Sequence, residues 1–480
     1  MTRPAAGVHA LVRVDLMFLG LAGVLGSATI AAGMTNPTVA RLTLALAALW
    51  LLASLGFAAP RSLLYVLIGW LAVLGFARRV ASVEFAPGHT DPLLLVEPVA
   101  VGVLLLAAIG RGGLAMRSTL SKVTLALALL LLAGSLNPAQ GGIATGLAGL
   151  LFALVPVCGF WIGRAFCDDA TYARILRLVA VLGALAAAYG LSQTFSGFPS
   201  WDEAWIRDQG YSALSVGGVT RAFGSFSSAS EYASFVAIAL LVWLARGFRT
   251  SRAMIAVPIV ALLGTALLYE SSRGIMFKLP VALVLILAAR ARQPLALSLA
   301  AAAAAIVILP VVVSSFVPAS GAGGGASSPL LQHQLTGLAN PLDPSASTLA
   351  VHASLVGNGF ATAFREPLGV GTGAVTIAGQ KFGGKARNTE ADPSNAAVAL
   401  GIPGLIAYVV LLCAAVGQAY RLAARRRDWL SAIALGLLVV TLLEWLTGGQ
   451  YAVAFLLWLT LGWIDRTSDE SNGALVEGRA

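Results

Sequence analysis

Apolar stretches of about 18 to 25 residues follow one another along almost the whole chain, each long enough to cross a ~30 Å hydrocarbon layer as a helix. With 58% of its 480 residues hydrophobic and only 11% charged, the chain has too little polar surface to cover a soluble core. Backbone groups in lipid must find partners within the protein, and these Leu/Ala/Val runs lack the two-residue alternation of barrel strands. The expected class is therefore all-α, a polytopic integral membrane protein. Candidate spans are 14–33, 39–58, 62–79, 93–109, 119–135, 143–164, 172–192, 226–246, 252–270, 274–291, 294–317, 396–420, 430–447 and 450–464, roughly twelve to fourteen in all.

The formal charge of +10 does not point to nucleic acid, because most basic residues are arginines at span ends, where they set orientation in the bilayer. With Arg3 and Arg13 cytoplasmic, the same side collects Arg61; Arg111, Arg117 and Lys122; Arg164 and Arg174; Arg246, Arg249 and Arg252; Arg290 and Arg292; and Arg421, Arg425, Arg426 and Arg427. Arg41 and the pair Arg78-Arg79 break the rule. The orientation is N-in and C-in, with a retained first helix and with 193–225 and 318–395 on the outer side. Cys158, Cys167 and Cys413 read as small packing residues, and His9, His89, His333 and His352 lack metal-ligand spacing. No metal or cofactor is expected, and the lipid bilayer is the first partner.

The chain divides into N-terminal helices (1–169), a second helical block (170–317) containing the outer segment 193–225, a large outer loop (318–395), C-terminal helices (396–464) and a tail (465–480) expected to be disordered. A loop far longer than a turn requires usually carries function. This one holds a Gly-rich linker at 321–328, the run Pro367-Leu368-Gly369-Val370-Gly371-Thr372-Gly373, and the cluster Lys381, Lys385, Arg387, Glu390, Asp392. It returns to an apolar helix through Asn395 and Gly401-Ile402-Pro403-Gly404. In 193–225, Trp201-Asp202-Glu203-Ala204-Trp205 suggests a short helix anchored at the membrane surface.

Charges at membrane depth are costly and mark candidate sites. Arg221 stands at the outer mouth of a span, Glu231 just inside it, Glu270 and Arg273 in a tight outer turn, and Arg365 beside the Gly-rich run. The positive-inside rule disfavours outer arginines, and a phosphate ligand would account for them, since guanidinium binds phosphate bidentately. Simple pairing of Arg273 with Glu270, or Arg221 with Glu231, is the other reading. Glu97 and Glu444 fall inside spans, as satisfied carboxyls or proton carriers; Lys278 snorkels or is paired; Asp168 and Asp169 read as helix caps. Gly369-x-Gly371-x-Gly373 lacks the strand–helix setting of a dinucleotide fingerprint.

In this order, Arg221-Ala222-Phe223-Gly224-Ser225-Phe226, Ser272-Arg273-Gly274, Pro367-Leu368-Gly369-Val370-Gly371-Thr372-Gly373 and Asn395 with Leu400-Gly401-Ile402-Pro403-Gly404-Leu405 resemble the O-antigen polymerase and O-antigen ligase family of bacterial envelope proteins. The resemblance covers about residues 170 to 425. It implies a metal-independent glycosyltransferase of the bacterial inner membrane, with a GT-C-like fold and a site facing the periplasm. The donor would be an undecaprenyl-pyrophosphate-linked glycan and the acceptor a second glycan, with room for a chain-length regulator as partner.

On this resemblance Arg221 and Arg273 hold the pyrophosphate and Arg365 assists. His352 lies near the place where many members carry an arginine, about fifteen residues before Pro367, and joins the candidate catalytic residues. Glu231, Glu270, Lys381, Lys385, Arg387 and Asn395 would support the site. Ligases of the family carry a histidine near the position of Glu390; acidic residues there point instead to a polymerase of O-antigen, capsule or exopolysaccharide, with Glu390 or Asp392 as base. These acids would equally serve as caps of the returning helix. The alternatives are a ligase transferring glycan to lipid A-core or protein and, in another class, a flippase or secondary transporter using Glu97, Glu231 and Glu444 at depth.

Overall fold

Prolines, glycines and capping side chains cut the apolar sequence into separate helices. The computed structural model describes residues 37–84, 92–114, 116–209, 215–216, 219–247, 253–315, 329–345, 347, 349–376, 378–379, 387, 389–446 and 450–477, together with Gly23, Val24 and Ser27. Helices α1 (Pro37–Ala58) and α2 (Pro60–Glu84) both open on proline, whose fixed φ and missing N–H suit a first helical position. α3 (Val96–Ile109) follows a 3-10 turn, and α4 (Thr119–Ser135) starts in a capping box made by Ser118 and Ser121. α5 (Ile143–Phe166) leads to α6 (Asp169–Ser196), where Asp168 is the expected cap and accepts the Thr171 N–H at 2.7 Å.

The short α7 (Ser200–Gln209) and a small hairpin, β1 (Ser215–Val216) with β2 (Val219–Thr220), precede α8 (Ala229–Gly247). Then come α9 (Ala253–Glu270), α10 (Arg273–Arg290) and α11 (Leu295–Ser314). The large loop contributes α12 (Pro329–Ala339) and α13 (Leu349–Arg365) before α14 (Asp392–Arg426), α15 (Trp429–Val440) and α16 (Tyr451–Glu477).

Among the described residues seven helices are long and apolar enough to cross a membrane, and shorter apolar helices lie at Leu46–Ala58, Leu93–Ile109, Thr119–Ser135 and Trp429–Val440. The chain is a helical polytopic membrane protein. The span expected at 14–33 falls outside the described residues apart from Gly23, Val24 and Ser27.

Small residues let the helices approach, as is usual where lipid supplies no hydrophobic drive. α16 lies against α5 at Gly159, Gly163 and Gly462, and a Cβ at Gly163 or Gly462 would fall on the backbone of the facing helix. Trp458, Trp463 and Phe455 of α16 are fully buried, and Tyr172 stacks on Trp463 with ring centroids 4.4 Å apart.

Several expectations change. The tail from Asp465 is not disordered up to Glu477, because α16 continues through it. Asp465 is buried, ion-paired to Arg164 and bonded by Ser118, so its polarity serves an internal contact. The span expected at 430–447 ends at Val440, which places Glu444 in the connection to α16 rather than inside a helix. α7 is not held by the membrane surface alone: it packs on α2, with Asp202 fully buried and Trp205 6% exposed.

Candidate functional site

Arg221 follows directly on β2, and Glu270 and Arg273 close α9 and open α10. The turn between those helices takes a left-handed residue at Ser271 (φ 66°), which swings Glu270 away from Arg273. Glu270 therefore pairs with Arg221, reversing both pairings that sequence proximity suggests. The Arg221 guanidinium donates from Nε to the Glu270 carbonyl at 2.8 Å and from Nη2 to Glu270 Oε1. The Glu270 side chain is fully buried in this pair.

Arg273 faces α12. Its Nη2 lies 3.1 Å from His333 Nδ1 and contacts Nε2. One turn further along α12 stands Gly337, where any Cβ would fall on the Arg273 guanidinium, so glycine is what admits the arginine. Burial first, then Arg273 and Arg221, hold the His333 imidazole below its ordinary value, so it is neutral near pH 7 and can accept from Arg273. Arg273 thus contacts His333 directly, and the Arg221 charge acts on it through space. Among the described residues, Glu270 is the carboxylate that meets these two arginines, and it pairs with Arg221.

The segment carrying Arg221 is fixed by a buried network that includes Arg79, one of the arginines that broke the orientation rule. Arg79 donates to Asp202 Oδ1 at 2.5 Å, to the Phe226 carbonyl at 2.6 Å and to the Gly224 carbonyl at 2.6 Å. Its guanidinium also lies over the Phe223 ring, 4.7 Å from the centroid. Asp202 Oδ2 accepts from Tyr189 at 2.6 Å and from Gln193 at 2.7 Å. Gln193 Oε1 in turn accepts the Gly224 N–H at 2.8 Å and the Phe223 N–H at 3.2 Å. The backbone of Ala222–Phe226 is thereby gripped from α2, α6 and α7. Sequence reading missed Asp202, Tyr189 and Gln193 as a unit; the arginine pair that breaks the orientation rule was the available signal.

The Pro-Leu-Gly run is structural. α14 breaks at Gly401 (φ 68°, ψ −154°), a conformation that favours glycine. The break frees carbonyls that the run then uses: Val370 N–H donates to the Val398 carbonyl and Gly371 N–H to that of Ala399, both at 2.9 Å, while Ile402 N–H reaches the Pro367 carbonyl at 3.0 Å. Asn137 Nδ2 holds the Gly369 carbonyl at 2.8 Å, and Gln140 Oε1 accepts the Gly373 N–H at 2.9 Å. The run is a wedge between the α4–α5 turn and the kinked α14. Arg365, at the end of α13 beside it, is exposed.

His352 of α13 and Glu390 are brought into contact through Nδ1 and Oε2, with both side chains about half exposed, 50% and 48%. Glu390 has left-handed backbone (φ 66°), a conformation uncommon outside glycine. Asn395 stabilises this turn, its Oδ1 accepting the Thr389 N–H at 2.7 Å and the Thr389 hydroxyl at 2.9 Å. Asp392, proposed as an alternative base, is instead buried and engaged. It accepts from the Leu446 N–H at 2.7 Å and the Tyr408 hydroxyl at 3.1 Å, which pins 441–446 to the start of α14.

The remaining candidates are also placed. Glu231 is buried and accepts the Ala452 N–H at 2.8 Å, holding the start of α16. Lys278 is paired with Glu444 at 2.7 Å, and Glu444 also contacts Gln450, whose Nε2 reaches Ser230 at 3.0 Å. Arg387 is exposed and its N–H donates to the Ala374 carbonyl at 2.7 Å; Lys381 and Lys385 lie outside the described residues. Compared with known proteins, the chain matches no family model and no curated sequence.

Proposed function

We propose that the protein is a glycosyltransferase of the bacterial inner membrane that polymerises glycan units carried on undecaprenyl pyrophosphate, with its site facing the periplasm. The observation that carries this is the neighbourhood of Arg221 and Arg273 at one mouth, where Glu270 pairs with Arg221 and Arg273 has no carboxylate partner among the described residues. An excess guanidinium charge in a partly buried mouth favours a compact dianionic group.

In the reaction, the acceptor hydroxyl oxygen attacks the anomeric carbon of the donor sugar. The bond from that carbon to the pyrophosphate oxygen breaks, its electron pair leaves on the pyrophosphate, and the acceptor proton passes to a base. Neutralising the leaving group is the arginines' part; one well-placed donor of this kind contributes about 3 to 4 kcal/mol to a transition state. His352 and Glu390 form the base: the carboxylate orients the imidazole, and both remain open to an incoming acceptor.

The His352–Glu390 contact favours a ligase as the second reading, because it supplies an imidazole where ligases of the resembled family carry histidine. Glycan analysis of a deletion strain complemented with Arg273→Ala separates the readings. Single lipid-linked units with no polymer indicate a polymerase, and long lipid-linked chains indicate a ligase. Unchanged glycans in both strains overturn the proposal.

A further inference from the structure

The buried face of α12 consists of Leu330, Gln334, Gly337 and Leu338. Gln334 is 0% exposed, yet neither its Nε2 nor its Oε1 has a hydrogen-bond partner among the described residues. It adjoins His333, whose ring and carbonyl (3.4 Å) both meet Arg273 Nη2, and shares a face with Gly337, which touches the same guanidinium. Arg273 Nε is likewise buried and unpartnered among the described residues. An amide buried without partners is a standing cost to the fold, and such costs gather where a ligand supplies the missing bonds. The flanking His333 and its partner Arg273 are part-exposed, as is Arg221.

We propose that Gln334 is the sugar-recognition residue of the donor site, its amide donating to and accepting from a hydroxyl or acetamido group of the sugar attached to the pyrophosphate. A primary amide offers a donor and an acceptor side by side, which matches a sugar hydroxyl. A dry site built around such a group discriminates strongly against ligands that leave it unpaired. The assignment rests on the pyrophosphate reading of Arg273: the arginine takes the phosphate, and the amide takes the sugar next to it.

The test uses full-length protein in detergent and two probes: the lipid-linked glycan isolated from the deletion strain, and undecaprenyl pyrophosphate without sugar. Gln334→Leu and Gln334→Met are compared with wild type. The expected result is roughly tenfold weaker binding of the glycan lipid, the scale of a lost hydrogen bond, with sugar-free lipid bound as in wild type. Because the substitutions remove an unsatisfied buried amide, the ligand-free melting temperature is expected to stay level or rise. Glycan binding at wild-type strength in both variants, or equal weakening of both lipids, overturns the inference. Arg273→Ala is the separate arm: if it leaves binding of undecaprenyl pyrophosphate intact, the pyrophosphate reading itself falls.

Discussion

Arg79→Met removes the centre of the network that grips the Arg221 segment, and its effect can be worked from the contacts. Arg79 and Asp202 are both fully buried, so removing the guanidinium leaves a carboxylate away from water without a countercharge. Breaking a buried pair from one side costs about 3 to 5 kcal/mol. The Gly224 and Phe226 carbonyls lose their donor as well, at about 1 kcal/mol or more each. Removing both charges in Arg79→Met/Asp202→Leu no longer strands an ion, so part of that cost returns, and the double variant should be more stable than the sum of singles by about 1 to 3 kcal/mol. The assay is unfolding in mixed micelles followed by tryptophan fluorescence, since Trp201 and Trp205 sit on the helix that carries Asp202. Arg79→Met as stable as wild type, or strict additivity in the double variant, would show that the pair is not the lock described.

Gly401→Ala should fail to accumulate in the membrane, because φ 68° costs an L-residue about 1 to 2 kcal/mol and the new Cβ would fall on the Pro367 carbonyl. Gly264→Ala, in α9 with nothing within 4 Å, is the matched control and should be neutral or stabilising in the same abundance and proteolysis measurements. His333 gives a pH signature whose sign follows from its depressed pKa. The neutral imidazole is favoured in the fold, so its contact with Arg273 is fully present above the ordinary histidine value near ~6.5 and is lost as pH falls through the lower folded value. Unfolding measured from pH 7.5 downward should show wild type losing stability relative to His333→Asn, and parallel curves would refute this.

The parts of the fold that can be read from sequence are those whose energetics are local. The helical, membrane-spanning character of the chain and the Asp168 cap depend on one stretch of chain at a time, and they fall where hydropathy and capping place them. Arg221, Glu270 and Arg273 are visible because each is individually expensive beside apolar helices. Their partners are not, because the left-handed Ser271 and the packing of α12 decide who meets whom. Asp392 shows the same limit: an acid before a helix reads as a base or a cap, and only the return of 441–446 and the packing of Tyr408 reveal the donors that enclose it.

Arg79 and Arg273 are the same misfit in sequence, an arginine that breaks the expected charge pattern of the loops, and satisfaction of their donors is what separates them. In Arg79, Nε, Nη1 and Nη2 each have an acceptor inside the protein, a carboxylate and two carbonyls, and its side chain is wholly buried. Such a group has nothing left to offer a ligand and acts as a lock. Arg273 meets a neutral histidine through Nη2, keeps Nε unpartnered among the described residues, and remains part-exposed beside an equally unpartnered Gln334. The unpartnered Nε in a partly dry mouth is what the proposed pyrophosphate would complete, and it is the observation on which that proposal separates Arg273 from Arg79.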